Sequence, residues 1–324
     1  MNLLEYIQRF QCTLLWSGLC LLLGGAGQLL VCTPLARAAD DSPISTKTAV
    51  KPGSFDQNRA FLYLEQQCEF GPRVPGSKAH QETQSYLFSE LKKFANEVIL
   101  QPFNFRHDNQ TIWMNNILAR FGDVDGETLL LAAHWDTRPF ADKDPKPANR
   151  NQPIIGANDG ASGVAVLLEV ARVLKEKPPP RQVFIVLFDG EDYGRTVENM
   201  FLGSKHFARN MGRWQPDFGI LLDMVGDQNL ELPMELYSWN ADREFTESIW
   251  NRAQQLGLFA FQPRLGVAIM DDHLPLIQAG VSTVNIIDFN YPHWHTLEDT
   301  PDKCSAESLG VVGKLMLNII YSGL

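Results

Sequence analysis

Basic runs are missing from this chain. Lys and Arg together number 28 against 38 Asp and Glu, for a net charge of −10 and an isoelectric point near 5.2. With no basic stripe anywhere, a nucleic-acid partner is excluded. Acidity of this size serves solubility, and it leaves a cationic group such as the free amine of a peptide unrepelled. Cysteine is scarce as well. Of five, Cys12, Cys20 and Cys32 fall near the N-terminus, leaving Cys68 and Cys304 in the body of the chain. Nothing in the sequence places these two together, so they read as separate thiols rather than a disulfide. No internal repeat is present. What remains is 324 residues with 44% hydrophobic content, enough to bury a large core as one α/β domain behind an N-terminal extension.

That extension carries an apolar run from Thr13 to Cys32 after Arg9, followed by Ala36-Arg37-Ala38 and Ala39, a small-x-small pattern of the signal-peptidase kind. The run is long for a signal peptide, and an uncleaved membrane anchor is the alternative. A lipoprotein reading through Cys32 is weaker, because bulky Val31 stands where a small residue is expected. Either way residues 1–38 imply export to a periplasmic or other extracytoplasmic space, with the membrane met only through this segment. Residues 39–56, rich in Ser, Thr, Pro and Lys, read as a linker, which leaves 57–324 as the catalytic domain.

Within that domain the pattern alternates. Apolar spacing predicts helices over 60–68, 78–94, 163–174, 243–256, 274–279 and 306–321, and a strand pair over 98–105 and 112–120. Continuous apolar runs at 129–134, 183–188, 218–223 and 281–287 are of the buried-strand kind. Strands alternating with helices predict an α/β domain with a central mixed, largely parallel sheet flanked by helices.

Acids and histidines cluster where these runs end. Glu191-Asp192 follows the run 183–188, and neighbouring carboxylates at a strand end point apart, so one can bind a metal while the other moves a proton. His134-Trp135-Asp136 follows 129–134, Asp159 lies in a Gly-rich turn before a helix, Asp223 ends 218–223, and His293-Trp294-His295 follows the last strand. Ligands of an α/β sheet collect outside the carboxyl ends of its strands, so these side chains can converge. Oxygen and imidazole donors without cysteine suit catalytic zinc. Singly, each residue has a plainer reading: Asp159 as a helix cap, His134 as a hydrogen-bonded core histidine, Asp223 as a turn residue. Asp136 reads as an acid orienting the His134 imidazole, or as a solvated loop charge. Residues 195–200 read as a surface loop.

Taken together, His134-Trp-Asp136, Gly156-Ala-Asn-Asp159-Gly, Asp189-Gly-Glu191-Asp192, Leu222-Asp223-Met and His295-Thr resemble, in order, the M28 zinc-peptidase superfamily, from about Cys68 to the C-terminus. That superfamily holds both aminopeptidases and animal-type glutaminyl cyclases. The resemblance implies Asp159, Asp192 and His295 as zinc ligands, Glu191 as general base, and peptide or protein N-termini as substrate. A two-metal aminopeptidase would add His134 and Asp223. Asp271-Asp-His-Leu-Pro-Leu276 and Trp294 are similar to segments of the cyclase branch, implying one zinc, a pocket role for Trp294, and Asp223 and Asp271 working with Glu191 on protons. Asp272 is read instead as the N-cap of the helix that follows. The chain departs from the animal cyclases in three places: Asp192 stands where they have Glu, Ala133 where they have a disulfide cysteine, and Tyr193-Gly-Arg-Thr where they carry a pocket tryptophan.

Overall fold

A computed structural model describes residues 54–107, 109–122 and 126–323. The signal or anchor segment, and the linker up to residue 53, lie outside the described residues.

The four apolar runs become β3 (Leu129–His134), β4 (Val183–Phe188), β5 (Phe218–Asp223) and β8 (Ser282–Ile287), all parallel. The expected strand pair becomes the hairpin β1 (Glu97–His107) and β2 (Gln110–Phe121), joined to the others through an antiparallel β2–β4 ladder. The sheet order is β1-β2-β4-β3-β5-β8. β3 and β4 are buried at every position, and the side-chain alternation of a strand explains how. Leu129, Leu131, Ala133, Ile185 and Leu187 face one layer, formed by α1 (Gln57–Glu69), α2 (Lys78–Phe94), α3 (Ala161–Glu176), α6 (Arg243–Gln255) and α8 (Ala306–Ser322). Leu130, Ala132, Val186 and Phe188 face the other, where Phe207 of α4 (Leu202–Arg209) and Leu276 of α7 (His273–Gln278) pack. A strand covered on both faces has no polar side to show, hence the unbroken apolar runs.

Four short elements escaped the periodicity. α4 and α5 (Leu236–Ala241) are short, and β6 (Leu232–Met234) pairs with β7 (Phe261–Leu265), which carries Pro263 and is largely exposed. None presents enough apolar positions to show a period. Ser54, Phe55 and Asp56, read as the end of the linker, belong to the fold. Asp56 caps α1 by accepting from the Asn58 and Arg59 amides and donates its own N–H to Glu169 Oε1 at 2.9 Å. Cys68 and Cys304 are unbridged. Among the described residues no helix is long and apolar enough to cross a membrane.

The start of α3 lies hard against the sheet. A Cβ on Gly163 would sit 2.3 Å from the Leu222 carbonyl oxygen and 3.0 Å from Ala133 Cβ, so only glycine lets the helix approach β5 this closely. Gly163→Ala should lower stability by about 1–3 kcal/mol, the usual range for overpacking. Urea denaturation measures it, and an unchanged midpoint would contradict this packing.

Candidate metal centre

β3 lies at the centre of the parallel strands, with β4 on one side and β5 on the other, so the chain reverses its progress across the sheet there. Ligands gather above such a switch point. His134 ends β3, Asp223 ends β5, Glu191 and Asp192 follow β4 by a tight turn, Asp159 precedes α3, Asp271 precedes α7, and His295 follows β8. All of them are buried.

Asp159, Asp192 and His295 each bring one ligand atom within 4.8 Å of the others. His295 Nε2 lies 3.2 Å from Asp192 Oδ2 and 3.5 Å from Asp159 Oδ2. Both of those carboxylate oxygens are buried without a hydrogen-bond partner. Leaving a buried acceptor unsatisfied costs about 1–3 kcal/mol, more when it is charged. Two such oxygens aimed at one imidazole nitrogen fit a divalent cation, and the absence of thiolate fits zinc at a catalytic rather than a structural site. A second triad, His134, Asp159 and Glu191, meets the same distance criterion. Here His134 Nε2 lies 3.2 Å from both Asp159 Oδ1 and Asp223 Oδ1. Asp159 belongs to both triads, and Asp223 to neither.

Backbone clamps hold these side chains in place, and two of them are carboxylates. Asp136 accepts the amide of Glu191 at 3.0 Å and that of Asp192 at 3.3 Å. Its Oδ1 also lies 3.6 Å from His134 Nδ1, but its hydrogen bonds go to the acid pair rather than to the imidazole it was expected to orient. Asp299 does the same for the other ligand loop, accepting from Asn158 at 2.8 Å and Asp159 at 3.1 Å, with the Tyr291 hydroxyl donating at 2.9 Å. Arg73, fully buried, donates to the Trp135, Ile155 and Gly156 carbonyls and so ties the β3 loop to the Asp159 turn. Three non-glycine residues at the site are left-handed: His295 itself (φ 55°), Met224 after Asp223 (φ 46°), and Phe201 (φ 57°), whose amide donates to the Glu191 carbonyl at 2.8 Å. Such conformations cost energy and persist only where surrounding contacts enforce them.

Electrostatics follow from burial. Burial and the adjacent Asp192 charge hold the Glu191 carboxyl well above the usual carboxylate range. Burial, helped by Asp271, pushes Asp223 up to about 7. Burial also raises Asp271 and Asp192. Burial disfavours charge on the histidines too, but carboxylates outweigh it: Asp136, Asp159 and Asp223 lift His134 well above its ordinary value, and Asp192 and Asp142 lift His295 to about 9. Without a metal, protonated imidazole is the cation this group of acids collects.

Asp271 is anchored by Asn285, which donates to its Oδ2 at 2.7 Å. Asp272 does not cap α7, contrary to expectation: its Oδ1 accepts from the Ser204 hydroxyl at 2.5 Å, and the helix start has no side-chain cap. α4, which supplies Ser204, was invisible in the sequence, so this partner was too. Trp294 stacks on His295 at 3.9 Å between ring centroids and meets Phe289 at 4.9 Å, forming an aromatic wall beside the first triad. Asp136 and Asp299 in their clamp roles, Arg73, Arg138 and Asp142 went unnoticed in sequence, because a lone acid or arginine in a loop has no pattern to announce it.

A largely parallel α/β sheet with carboxylate and imidazole ligands gathered at its carboxyl edge defines an enzyme of the zinc-peptidase fold. Residues 116–320 match the model of peptidase family M28, and the chain belongs to that family. It is similar to aminopeptidase YwaD of Bacillus subtilis, 29% identical over 207 residues, which is 60% of this chain but 41% of that one. It is also similar to glutaminyl-peptide cyclotransferase of Bos taurus, 22% identical over 289 residues, 75% of this chain and 76% of that one. Among solved structures, Tannerella forsythia glutaminyl cyclase superposes with a TM-score of 0.80 at 38% identity, covering 83% of this chain and 99% of that one.

Asparagine at position 136 would keep one acceptor oxygen where two amides now need one each. Asp136→Asn should therefore loosen the Glu191-Asp192 turn and lower stability by about 1–3 kcal/mol. Thermal unfolding of the metal-free protein measures this, and wild-type stability would mean the clamp carries no weight.

Proposed function

We propose that this chain is a glutaminyl-peptide cyclotransferase, converting the N-terminal glutamine of peptides or proteins to pyroglutamate with release of ammonia. The observation that carries this reading is the buried group of Glu191, Asp223 and Asp271, acids raised by burial, the first two also by the Asp271 charge, beside a triad sufficient for one ion. In cyclisation the α-amine attacks the γ-carboxamide of its own residue, so no water nucleophile is needed and holding the bent conformer supplies much of the acceleration. A proton must still travel from the amine to the departing ammonia, which asks for a carboxyl that titrates near neutrality.

Asp159, Asp192 and His295 would hold one zinc ion, which when bound supplies Lewis-acid polarisation of a carbonyl oxygen. Glu191, not needed in that set, takes the proton from the attacking amine and delivers it to the leaving nitrogen. The neighbouring Asp192 and Asp271 charges keep Glu191 poised by discouraging it from releasing a proton too readily, and Asp223, itself raised to about 7, is a further proton-holding group beside it. Trp294, fixed against His295, offers a flat face to the substrate and keeps water from the cyclising end. The cyclases compared above support the reading, because each aligns with this chain over most of both lengths.

A second reading, a two-metal aminopeptidase, is favoured by the His134, Asp159 and Glu191 triad and by the likeness to YwaD. In it His134 Nε2, which here meets Asp223 at 3.2 Å, would face an ion instead.

Incubating the zinc-loaded protein with a Gln-initiated and a Leu-initiated peptide separates the two. Ammonia release from the first with its backbone intact is expected; a free amino acid released from either would reject cyclisation. Glu191→Gln should retain zinc and lose turnover by about 100-fold or more. Asp192→Ala should lose zinc, and full metal content in that variant would sink the ligand assignment.

A further inference from the structure

We propose that Arg138 and Asp142, on the loop after β3, form a brace that decides which atoms Asp192 and His295 present to a metal ion. The proposal rests on the ligand set given above. Arg138 Nη1 donates to Asp192 Oδ1, and at 3.2 Å to the Gly194 carbonyl, so it holds both the ligand and the chain that follows it. Its other edge grips Asp142, Nε to Oδ1 at 2.7 Å and Nη2 to Oδ2 at 3.3 Å. The same Asp142 Oδ1 lies 3.3 Å from His295 Nδ1, an ion-pair contact without hydrogen-bond alignment. One guanidinium–carboxylate pair therefore touches both ligands, each on the side facing away from the other.

The consequences are specific to atoms. With Oδ1 of Asp192 engaged, Oδ2 is the oxygen left over, unpartnered and 3.2 Å from His295 Nε2. A carboxylate beside Nδ1 favours the proton on that nitrogen, which leaves the Nε2 lone pair free to face an ion. The rest of the loop presses in the same direction. The Lys143 amide donates to the His295 carbonyl at 3.1 Å, and Asp144 Oδ2 accepts the Leu297 amide at 3.2 Å, which bracket the left-handed His295. The contact to the ligand is buried, with the Arg138 and Asp192 side chains only 5% and 2% exposed, while Asp142 is 25% exposed at the outer end of the brace. The Phe140 ring, 5.0 Å from the guanidinium, limits its motion further. Arg138 and Asp142 are positioning residues, acting on the metal only through Asp192 and His295.

Zinc titration of the metal-stripped full chain against a chelator of known affinity tests the brace. Asp142→Ala should bind zinc about 10–100-fold more weakly, the range for losing a partner behind a metal ligand. Asp142→Asn, which keeps an oxygen near Nδ1, should recover part of the loss. Arg138→Met should free Oδ1 of Asp192, and X-ray absorption of the zinc-loaded variant should then show an added oxygen neighbour. Wild-type affinity in Asp142→Ala, or a wild-type zinc shell in Arg138→Met, overturns the brace. Asp192→Ala in the same titration keeps the two ideas apart: if it loses zinc while Asp142→Ala does not, only the brace fails, and if it binds zinc like wild type, both fail.

Discussion

Buried negative charge is the constraint to which the rest of this molecule answers. A carboxylate taken out of water is costly unless something compensates it, and the carboxyl edge of this sheet gathers Asp136, Asp159, Glu191, Asp192, Asp223, Asp271, Asp272 and Asp299 out of contact with solvent. Each is answered differently. Asp136 and Asp299 are satisfied by pairs of consecutive backbone amides, which turns a liability into a device for shaping loops. Glu191, Asp223 and Asp271 are answered by raised affinity for protons. Asp159 and Asp192 each keep one buried oxygen, Oδ2, without a hydrogen-bond partner and close to His295 Nε2, and there a cation fits.

Those three answers map onto three kinds of work. Amide-bound acids hold geometry, proton-holding acids can move protons, and orphaned oxygens can hold metal. Glu191 and Asp192, adjacent on one turn, are both raised by burial, but Asp192 also turns an unpartnered oxygen toward His295 Nε2. They lie on the turn after β4, and the Asp136 clamp fixes both of their amides. Cyclase and aminopeptidase chemistry can both be built on this arrangement. What distinguishes them is whether His134 and Asp223 keep each other company or share an ion.

How much of this was legible in the sequence depended on period and on neighbours. The runs at Leu129–His134 and Val183–Phe188 could be read because a strand buried on both faces must be apolar throughout. The convergence of Glu191, Asp192, Asp223 and His295 could be read because each sits at or past the end of such a run, where position alone implies it. Asp272 was misread because its true partner, Ser204, lies on a helix too short to show amphipathic spacing. Asp136 was half-read: its nearness to His134 is local and visible, whereas its bonds to residues 191 and 192 depend on β3 and β4 being neighbours. Arg138 and Asp142 illustrate the limit, since a pair four residues apart in a loop looks like any solvated charge pair until both ends of it are seen to meet ligands.

The short return from Tyr291 to Asp299 also sets the order in which the site can exist. It carries the ligand His295, the hydroxyl of Tyr291, and the carboxylate that clamps Asn158 and Asp159 more than a hundred residues earlier. A chain emerging from its N-terminus can lay down β3, α3, β4 and β5 and still have neither the imidazole nor the clamp on its first ligand loop. Assembly of the candidate metal centre is thereby tied to the C-terminal segment. An incomplete or half-docked chain lacks the assembled centre, so the finished fold and a competent site arrive together.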